Sequence, residues 1–375
     1  MCQRGHDHVV VAPGPRDEEY ESKEEKNAGV RARTVRISGP ALPYDRTYHL
    51  LGRFDKVRQR VKAERADILE AHSPYLAAAA IVACGRAAAR VRTAFWHADH
   101  VGTYVEPALA RWLGPRAAGA LSAPMRKAAM RALLAPFEAT FVAGREQAAR
   151  LRRAGVEGVV HVPFGVDVSV FRPGARSASA RRELLDGASE RAALIVGTGR
   201  FAFEKRWDVV FDAFARVRAR REAVLVLFGD GPERAALERA APAGVRFLGF
   251  ERDRPRLAGA LASADALLHG CPYETFGLGV AEAVASALPV VVPDAGGAAE
   301  TVDRSCGETY VSLDAADAAA ALERLLARDP TELRARAKEA ATHVPTAADH
   351  YGRVLATYDA ILAAKAAGRS WKAAD

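Results

Sequence analysis

Two carboxylates, Glu274 and Glu282, stand with seven residues between them in the stretch from Leu268 to Val302. Glu274 follows Cys271-Pro272 in what reads as a loop. The breaker-free, Ala-rich run from Gly279 to Leu288 reads as a helix. Glu282 is then expected about two turns into the helical region and Glu274 ahead of it, so both can face one cleft at different depths. The backbone N–H groups of Phe276, Gly277 and Leu278 fall at the helix start, where no earlier turn accepts them. Such a terminus favours an anion, a phosphate above all. Carboxylates accept hydrogen bonds from vicinal hydroxyls. Hydroxyls at two places with phosphate between them describe a nucleotide-sugar.

A departing diphosphate needs positive charge. Gly199-Arg200 follows the apolar run Ala193–Thr198, and Lys205 comes five residues after Arg200. A guanidinium and an ammonium there would neutralise the leaving group without a metal. In the first half, His97 ends the run Arg92–Trp96 and His72 ends a shorter one. Either could hydrogen-bond a sugar, and Asp99 is a weaker neighbour. Each candidate also has a bland reading: solvated glutamates on an amphipathic helix, a basic turn, a structural histidine.

The elements that must position these residues alternate. Strands are expected at Gly5–Gly14 (short and buried), Val30–Ile37, Asp67–Ala71, Arg92–Trp96, Ala139–Ala143 and Val159–Val162. Helices are expected at Leu50–Arg65, Leu76–Ala89 and Arg145–Ala154. The acidic run Asp17–Glu25 reads as a solvated loop. Ala108–Leu134 reads as helical, with breaks near Gly114-Pro115 and Ser122-Ala123-Pro124. After a boundary at residues 174–190 the alternation restarts, with strands at Ala193–Thr198, Val224–Phe228 and Ala266–His269, and another at Pro289–Val292. Three closing helices follow from Ala315. Alternation of this kind means parallel α/β layers, and two such units place a ligand between them.

The chain has 375 residues, half of them hydrophobic, enough for two domains. A net charge of +8 is compatible with nucleic acid, an anionic membrane or phosphorylated substrates. No zinc spacing or aromatic–basic interleaving favours nucleic acid, so none is expected as a partner. The four cysteines are scattered without metal or disulfide spacing, which fits a reducing cytoplasm. No signal core is visible, and the longest apolar runs are too short to span a bilayer. The basic stretch with Arg111, Trp112, Arg116, Arg126, Lys127 and Arg131 either docks on an anionic membrane or is a solvated helical face.

The string Glu274-Thr275-Phe276-Gly277-Leu278, with Glu282 eight positions after Glu274, then Ala287-Leu288-Pro289-Val290-Val291 and Gly296-Gly297, resembles the donor-site motif of retaining glycosyltransferases of family four. Gly229-Asp230-Gly231-Pro232-Glu233 resembles a second signature of that family, and Gly165-Val166-Asp167 with Phe171 and Pro173 its interdomain segment. The resemblance implies the GT-B fold: two doubly wound Rossmann-like domains facing a central cleft. Residues 1–176 would be the acceptor-side domain and 177–345 the donor-binding domain. The helix in 346–375 would cross back to the first. It further implies Arg200 and Lys205 on the donor diphosphate, Glu282 on the ribose, and Glu274 at the transferred hexose. The backbone of Phe276, Gly277 and Leu278 would meet sugar and phosphate, and His97 would lie on the reacting face.

The expected reaction is metal-independent, retaining transfer of a hexose from a nucleotide-diphospho-sugar to a glycan or lipid-linked acceptor. GDP-mannose is slightly preferred over UDP-hexoses, and no cofactor is expected. The expected location is the cytoplasm, either free or peripheral at the inner face of the membrane. One departure stands out: Arg4-Gly5-His6-Asp7 resembles the end of the family's first long helix, so the first βα unit is expected to be absent. A nucleotide-sugar-binding remnant without turnover is therefore an alternative; an epimerase or phosphorylase-type relative of the same fold is another, although Glu274 and Glu282 with Arg200 and Lys205 favour transfer.

Overall fold

The computed structural model describes residues 5–21, 32–43, 45–73, 76–97, 101 and 105–373, less the side chains of Arg86, Pro107 and Pro115. The first half carries two sheets. Strands β1 (His8–Gly14), β2 (Glu18–Glu21) and β3 (Ala32–Ser38) form the smaller one, with β1 parallel and β2 antiparallel to β3. The expected acidic loop is thus an edge strand at Glu18–Glu21. Arg36 meets Glu18 at 3.0 Å and Arg60 meets Glu19 at 2.6 Å, so the carboxylates lie against cations. β1, expected to be buried, is mostly half-exposed: among the described residues it is an edge strand of this three-stranded sheet.

Helix α1 (Phe54–Glu64), β4 (Ile68–Ala71), α2 (Leu76–Ala83), β5 (Val91–Trp96), α3 (Glu106–Leu113), α4 (Pro115–Leu134), β6 (Ala139–Val142), α5 (Arg145–Arg153) and β7 (Val159–His161) follow. Strands β4-β5-β6-β7 lie in that order, all parallel. The helical stretch breaks at Gly114, as expected, but runs unbroken through Pro124. Ala123, Pro124 and Met125 all face solvent, so water can reach the carbonyl that the proline leaves without a partner.

In the stretch expected as a boundary, α6 (Ala178–Leu185) is capped by Ser177. The second half continues with β8 (Ala193–Thr198), α7 (Trp207–Arg218), β9 (Ala223–Phe228), α8 (Arg234–Ala240), β10 (Val245–Gly249), α9 (Arg254–Ser263), β11 (Ala266–Leu268), α10 (Leu278–Ala285), β12 (Val290–Pro293), α11 (Gly297–Glu300), β13 (Glu308–Tyr310), α12 (Ala315–Leu326), α13 (Pro330–Ala341) and α14 (Ala347–Ala366). Its six strands are all parallel in the order β10-β9-β8-β11-β12-β13. The winding reverses between β8 and β11. A crevice opens beyond the carboxyl ends of strands at such a switch point, and ligands bind there.

The last helix rejoins the first half. Its entry pairs with Val166, whose N–H donates to Pro345 O at 2.8 Å. Tyr358 donates to Glu70 at 2.7 Å, and Lys365 donates to Glu138 at 2.5 Å and to Arg90 O at 2.7 Å. Ile361, fully buried, packs on Val91 and Ala139. Replacing Ile361 by Ala is expected to destabilise the chain by about 2–5 kcal/mol, the usual cost of such a cavity. Urea unfolding read by tryptophan fluorescence would show this, and an unchanged midpoint would contradict the packing described.

Candidate functional site

The crevice is built from strand ends. Beyond β8 lie Gly199 and Arg200, then a short 3-10 turn at Phe203–Lys205; beyond β11 lie His269 and the loop to Glu274. These ends neighbour each other because β8 and β11 pair directly. Lys205 Nζ donates to Glu274 Oε1 at 2.5 Å. Both side chains are about one-fifth exposed. Burial works against both charges, but each charge favours the other, so the Lys205 ammonium titrates higher than usual and the Glu274 carboxyl lower. The pair is therefore fully ionised.

His269 Nε2 lies 3.6 Å from the same Glu274 oxygen. It is buried without a hydrogen-bond partner among the described residues. Burial pulls its pKa down to about 4. His269, Cys271 and Glu274 bring possible metal-ligand atoms within 4.8 Å of one another. The set fits a metal poorly: the Lys205 ammonium already stands against Glu274. Burial also pushes the Cys271 thiol up to about 12, which disfavours the thiolate a metal needs.

Helix α10 begins at Leu278, one residue earlier than the sequence suggests, with Gly277 as its N-cap at φ +82°. Glycine is suited to that left-handed conformation. Glu282 consequently lies about one turn into the helix rather than two. The amides without helical partners are those of Gly277, Leu278 and Gly279, while Val280 N–H already donates to Gly277 O at 2.9 Å. Phe276 stands with its ring buried, edge-on to Phe164 at 5.5 Å, and Leu278 is exposed.

The candidates do not all meet one another. Glu282 is buried and paired with Arg254 at the start of α9, whose guanidinium stacks on Phe171 at 4.6 Å. Burial raises the Glu282 pKa, and Arg254 opposes the rise. Arg200 pairs with Asp45 from the first half and lies 4.4 Å from the Tyr48 ring centroid. Asp45 is buried and also accepts from Thr47 Oγ1 at 2.6 Å. A carboxylate thus sits on the guanidinium that the sequence offers to phosphate.

His97, beyond β5, borders the motif: Thr275 Oγ1 donates to His97 O at 2.8 Å. Its ring stacks on Phe95 at 4.5 Å, and burial, then the neighbouring His72, pulls its pKa down to about 4. The loop Gly229–Glu233 closes beside β8, where Phe201 N–H donates to Asp230 O at 2.9 Å. Asp99 lies outside the described residues.

A second tie joins the halves. Glycine at 144 gives α5 no capping side chain, and the Glu300 carboxylate takes that role from α11. It accepts the N–H groups of Arg145 at 2.6 Å and Glu146 at 2.7 Å. A Cβ on Gly144 would meet Thr275 O at 2.5 Å, so only glycine admits the motif loop. Asp45, Arg254 and Glu300 carry no local sequence signal. His269 does: a polar residue at a strand end, five before Glu274.

His269 generates a stability prediction. Its folded pKa near 4 lies below the ordinary 6.5, so the unfolded chain binds more protons between these values and stability falls as pH drops through that window. The slope from one such histidine approaches about 1.4 kcal/mol per pH unit. Urea unfolding at pH 7 and pH 5 should show a smaller loss in His269→Gln than in the unsubstituted chain; an equal loss would contradict it.

Comparison with known proteins accords with this geometry. The family model for glycosyl transferases group 1 matches residues 192–328, and that for Glycosyltransferase Family 4 matches residues 1–170. The GDP-mannose-dependent alpha-(1-6)-phosphatidylinositol dimannoside mannosyltransferase of Mycobacterium tuberculosis is 33% identical over 316 residues, covering 82% of this chain and 76% of its own. A GDP-mannose-dependent alpha-mannosyltransferase of Corynebacterium glutamicum is 27% identical over 319 residues, covering 84% and 70%. Among solved structures, the sucrose-phosphate synthase of Thermosynechococcus elongatus superposes with a TM-score of 0.72 at 20% identity, over 96% of this chain and 89% of that one. Anabaena HepE with UDP and glucose gives 0.65 at 18%, covering 86% of each. The fold is that of the GT-B glycosyltransferases, and the chain, an enzyme of that kind, belongs to glycosyltransferase family 4, the glycosyl transferases of group 1.

Proposed function

We propose that this glycosyltransferase moves mannose from GDP-mannose to a glycan or lipid-linked acceptor, with retention at the anomeric carbon. The observation that carries the donor site is the ionised Lys205–Glu274 pair at the switch point, with Arg200 at the end of the adjoining strand. The preference for GDP-mannose rests on the mycobacterial and corynebacterial relatives, both GDP-mannose-dependent by name.

In this reading the diphosphate binds Arg200, Lys205 and the free amides of Gly277–Gly279, and Glu282 with Arg254 holds the ribose end. Glu274 accepts hydroxyl hydrogen bonds from the mannose. His97 contacts the sugar from the other half. The bond between the anomeric carbon and the phosphate oxygen breaks, and the acceptor oxygen bonds on the same face. The acceptor's proton goes to the departing phosphate. Two side-chain cations neutralise that phosphate, so no metal is needed. The face of α3 and α4 with Trp112 (88% exposed), Leu113, Leu121 and Met125, flanked by exposed Arg111, Arg116, Lys127 and Arg131, would rest on an anionic membrane carrying the acceptor. Arg126 is spent on Glu106 at 3.0 Å. No helix among the described residues is long and apolar enough to cross a membrane.

Calorimetry tests the donor site. GDP and GDP-mannose should bind in excess EDTA, and Glu282→Ala should weaken both by about 10–100-fold, the value of a lost charged hydrogen bond. Absence of binding, or binding that needs a divalent cation, would count against the reading. Asp45 generates a separate expectation. Because its carboxylate competes with diphosphate for Arg200, Asp45→Asn should tighten GDP several-fold. Weaker binding would show that Asp45 orients Arg200 instead.

A further inference from the structure

Behind His97 lies a chain of polar groups. His97 Nε2 is 2.9 Å from His72 Nδ1, and His72 Nε2 is 2.9 Å from Glu70 Oε1. Glu70 sits on β4 with its side chain 14% exposed. Its other oxygen accepts from Thr93 Oγ1 at 2.9 Å and from Tyr358 at 2.7 Å. Burial raises the pKa of this carboxyl, but the His72 ring and the two hydroxyls outweigh it, and the net shift is downward. Glu70 is therefore an ionised acceptor with no proton to give. The proton between it and His72 must reside on His72 Nε2.

That assignment fixes the rest. The contact between His72 Nδ1 and His97 Nε2 holds one proton. If His72 is neutral, its Nδ1 accepts, the proton is on His97 Nε2, and His97 Nδ1 is a bare acceptor. If His72 is an imidazolium, it donates from both nitrogens, and neutral His97 carries its proton on Nδ1 as a donor. His97 itself stays neutral across both states, since its pKa is held near 4. Its ring lies within 6° of parallel to those of Phe95, at 4.5 Å, and Phe164, at 5.5 Å, and the 2.9 Å contact with His72 Nδ1 ties its Nε2. Among the described residues its Nδ1 has no hydrogen-bond partner.

We propose that Glu70 and His72 are positioning residues that fix the tautomer of His97, so that the proton on His72 decides whether His97 offers Nδ1 to the transferred sugar as donor or as acceptor. This rests on the reading of His97 as a sugar contact. The His72 side chain is 63% exposed, so solvent reaches its ring. Near neutrality, histidine is the side chain whose charge changes. The other titratable group acting on His97 is His350 on α14, whose ring stands 5.9 Å from that of Phe95 and 5.6 Å from that of Phe164, while Tyr358 of the same helix donates to Glu70.

The test uses the full chain with ¹⁵N-labelled histidine. Long-range ¹H–¹⁵N spectra from about pH 5 to 8 read the tautomer of each ring directly. The two nitrogens of His97 should exchange type at the inflection where His72 gains its proton. His72→Phe should abolish that change, and Glu70→Gln should move it to lower pH, because the carboxylate that favours the imidazolium is gone. His350→Gln should leave it in place. In parallel, the affinity of GDP-mannose relative to GDP should follow the same inflection and become flat in His72→Phe, while GDP alone is unaffected. A purely structural role for His72 would move neither readout with pH. An inflection at His97 that persists in His72→Phe, or an unchanging His97 ring while His72 titrates, overturns the proposal. Spectra as expected without any binding of GDP-mannose would sink the donor assignment and leave the tautomer relay standing.

Discussion

The ion pair between Lys205 and Glu274 is the constraint on which the site depends. Withdrawing two charges from water is costly, and a buried pair is weak evidence of stability gained. Its value here is that both charges persist where a polar ligand must be met. The parallel sheet makes this arrangement possible. With β8 beside β11, the turn bearing Arg200 and Lys205 and the loop bearing His269 and Glu274 leave neighbouring strand ends and must meet. Removing either partner leaves the other buried and unpaired. In the proposed reading, a negatively charged ligand would satisfy Lys205 and free Glu274 for hydroxyls.

The same loop fastens the two halves. Thr275 donates to the backbone beyond β5, Glu300 caps α5, and Gly144 admits the loop at a distance no other residue allows. Helix α14 closes the connection from the other side through Tyr358, Ile361 and Lys365. Asp45 reaches Arg200 from the first half as well. The motif loop is thus a joint between the halves and, in the proposed reading, a binding surface as well, which is why His97 of the first half borders it.

Much of this was legible in the residues. The alternation of apolar runs gave the parallel strands of both halves. The string from Glu274 to Glu282 led to the crevice, because a helix start with glycine and two carboxylates is a local pattern. Legibility ended where the physics was not local. Glu18–Glu21 reads as a loop by charge, yet pairs as an edge strand because Arg36 and Arg60 lie opposite. Pro124 reads as a break, yet its helix continues because that side faces water. Arg254 beneath Glu282 and Asp45 upon Arg200 are partners brought by tertiary packing, and no spacing announces them. The roles of His72 and Glu70 depend on a 2.9 Å contact that only the fold creates.

The most direct measurement is the structure of the complex with GDP-mannose. The account predicts diphosphate oxygens within hydrogen-bond reach of Lys205 Nζ and Arg200, with Asp45 displaced and Glu274 turned to the mannose hydroxyls. A diphosphate bound elsewhere, with the Arg200–Asp45 and Lys205–Glu274 pairs intact, would contradict it.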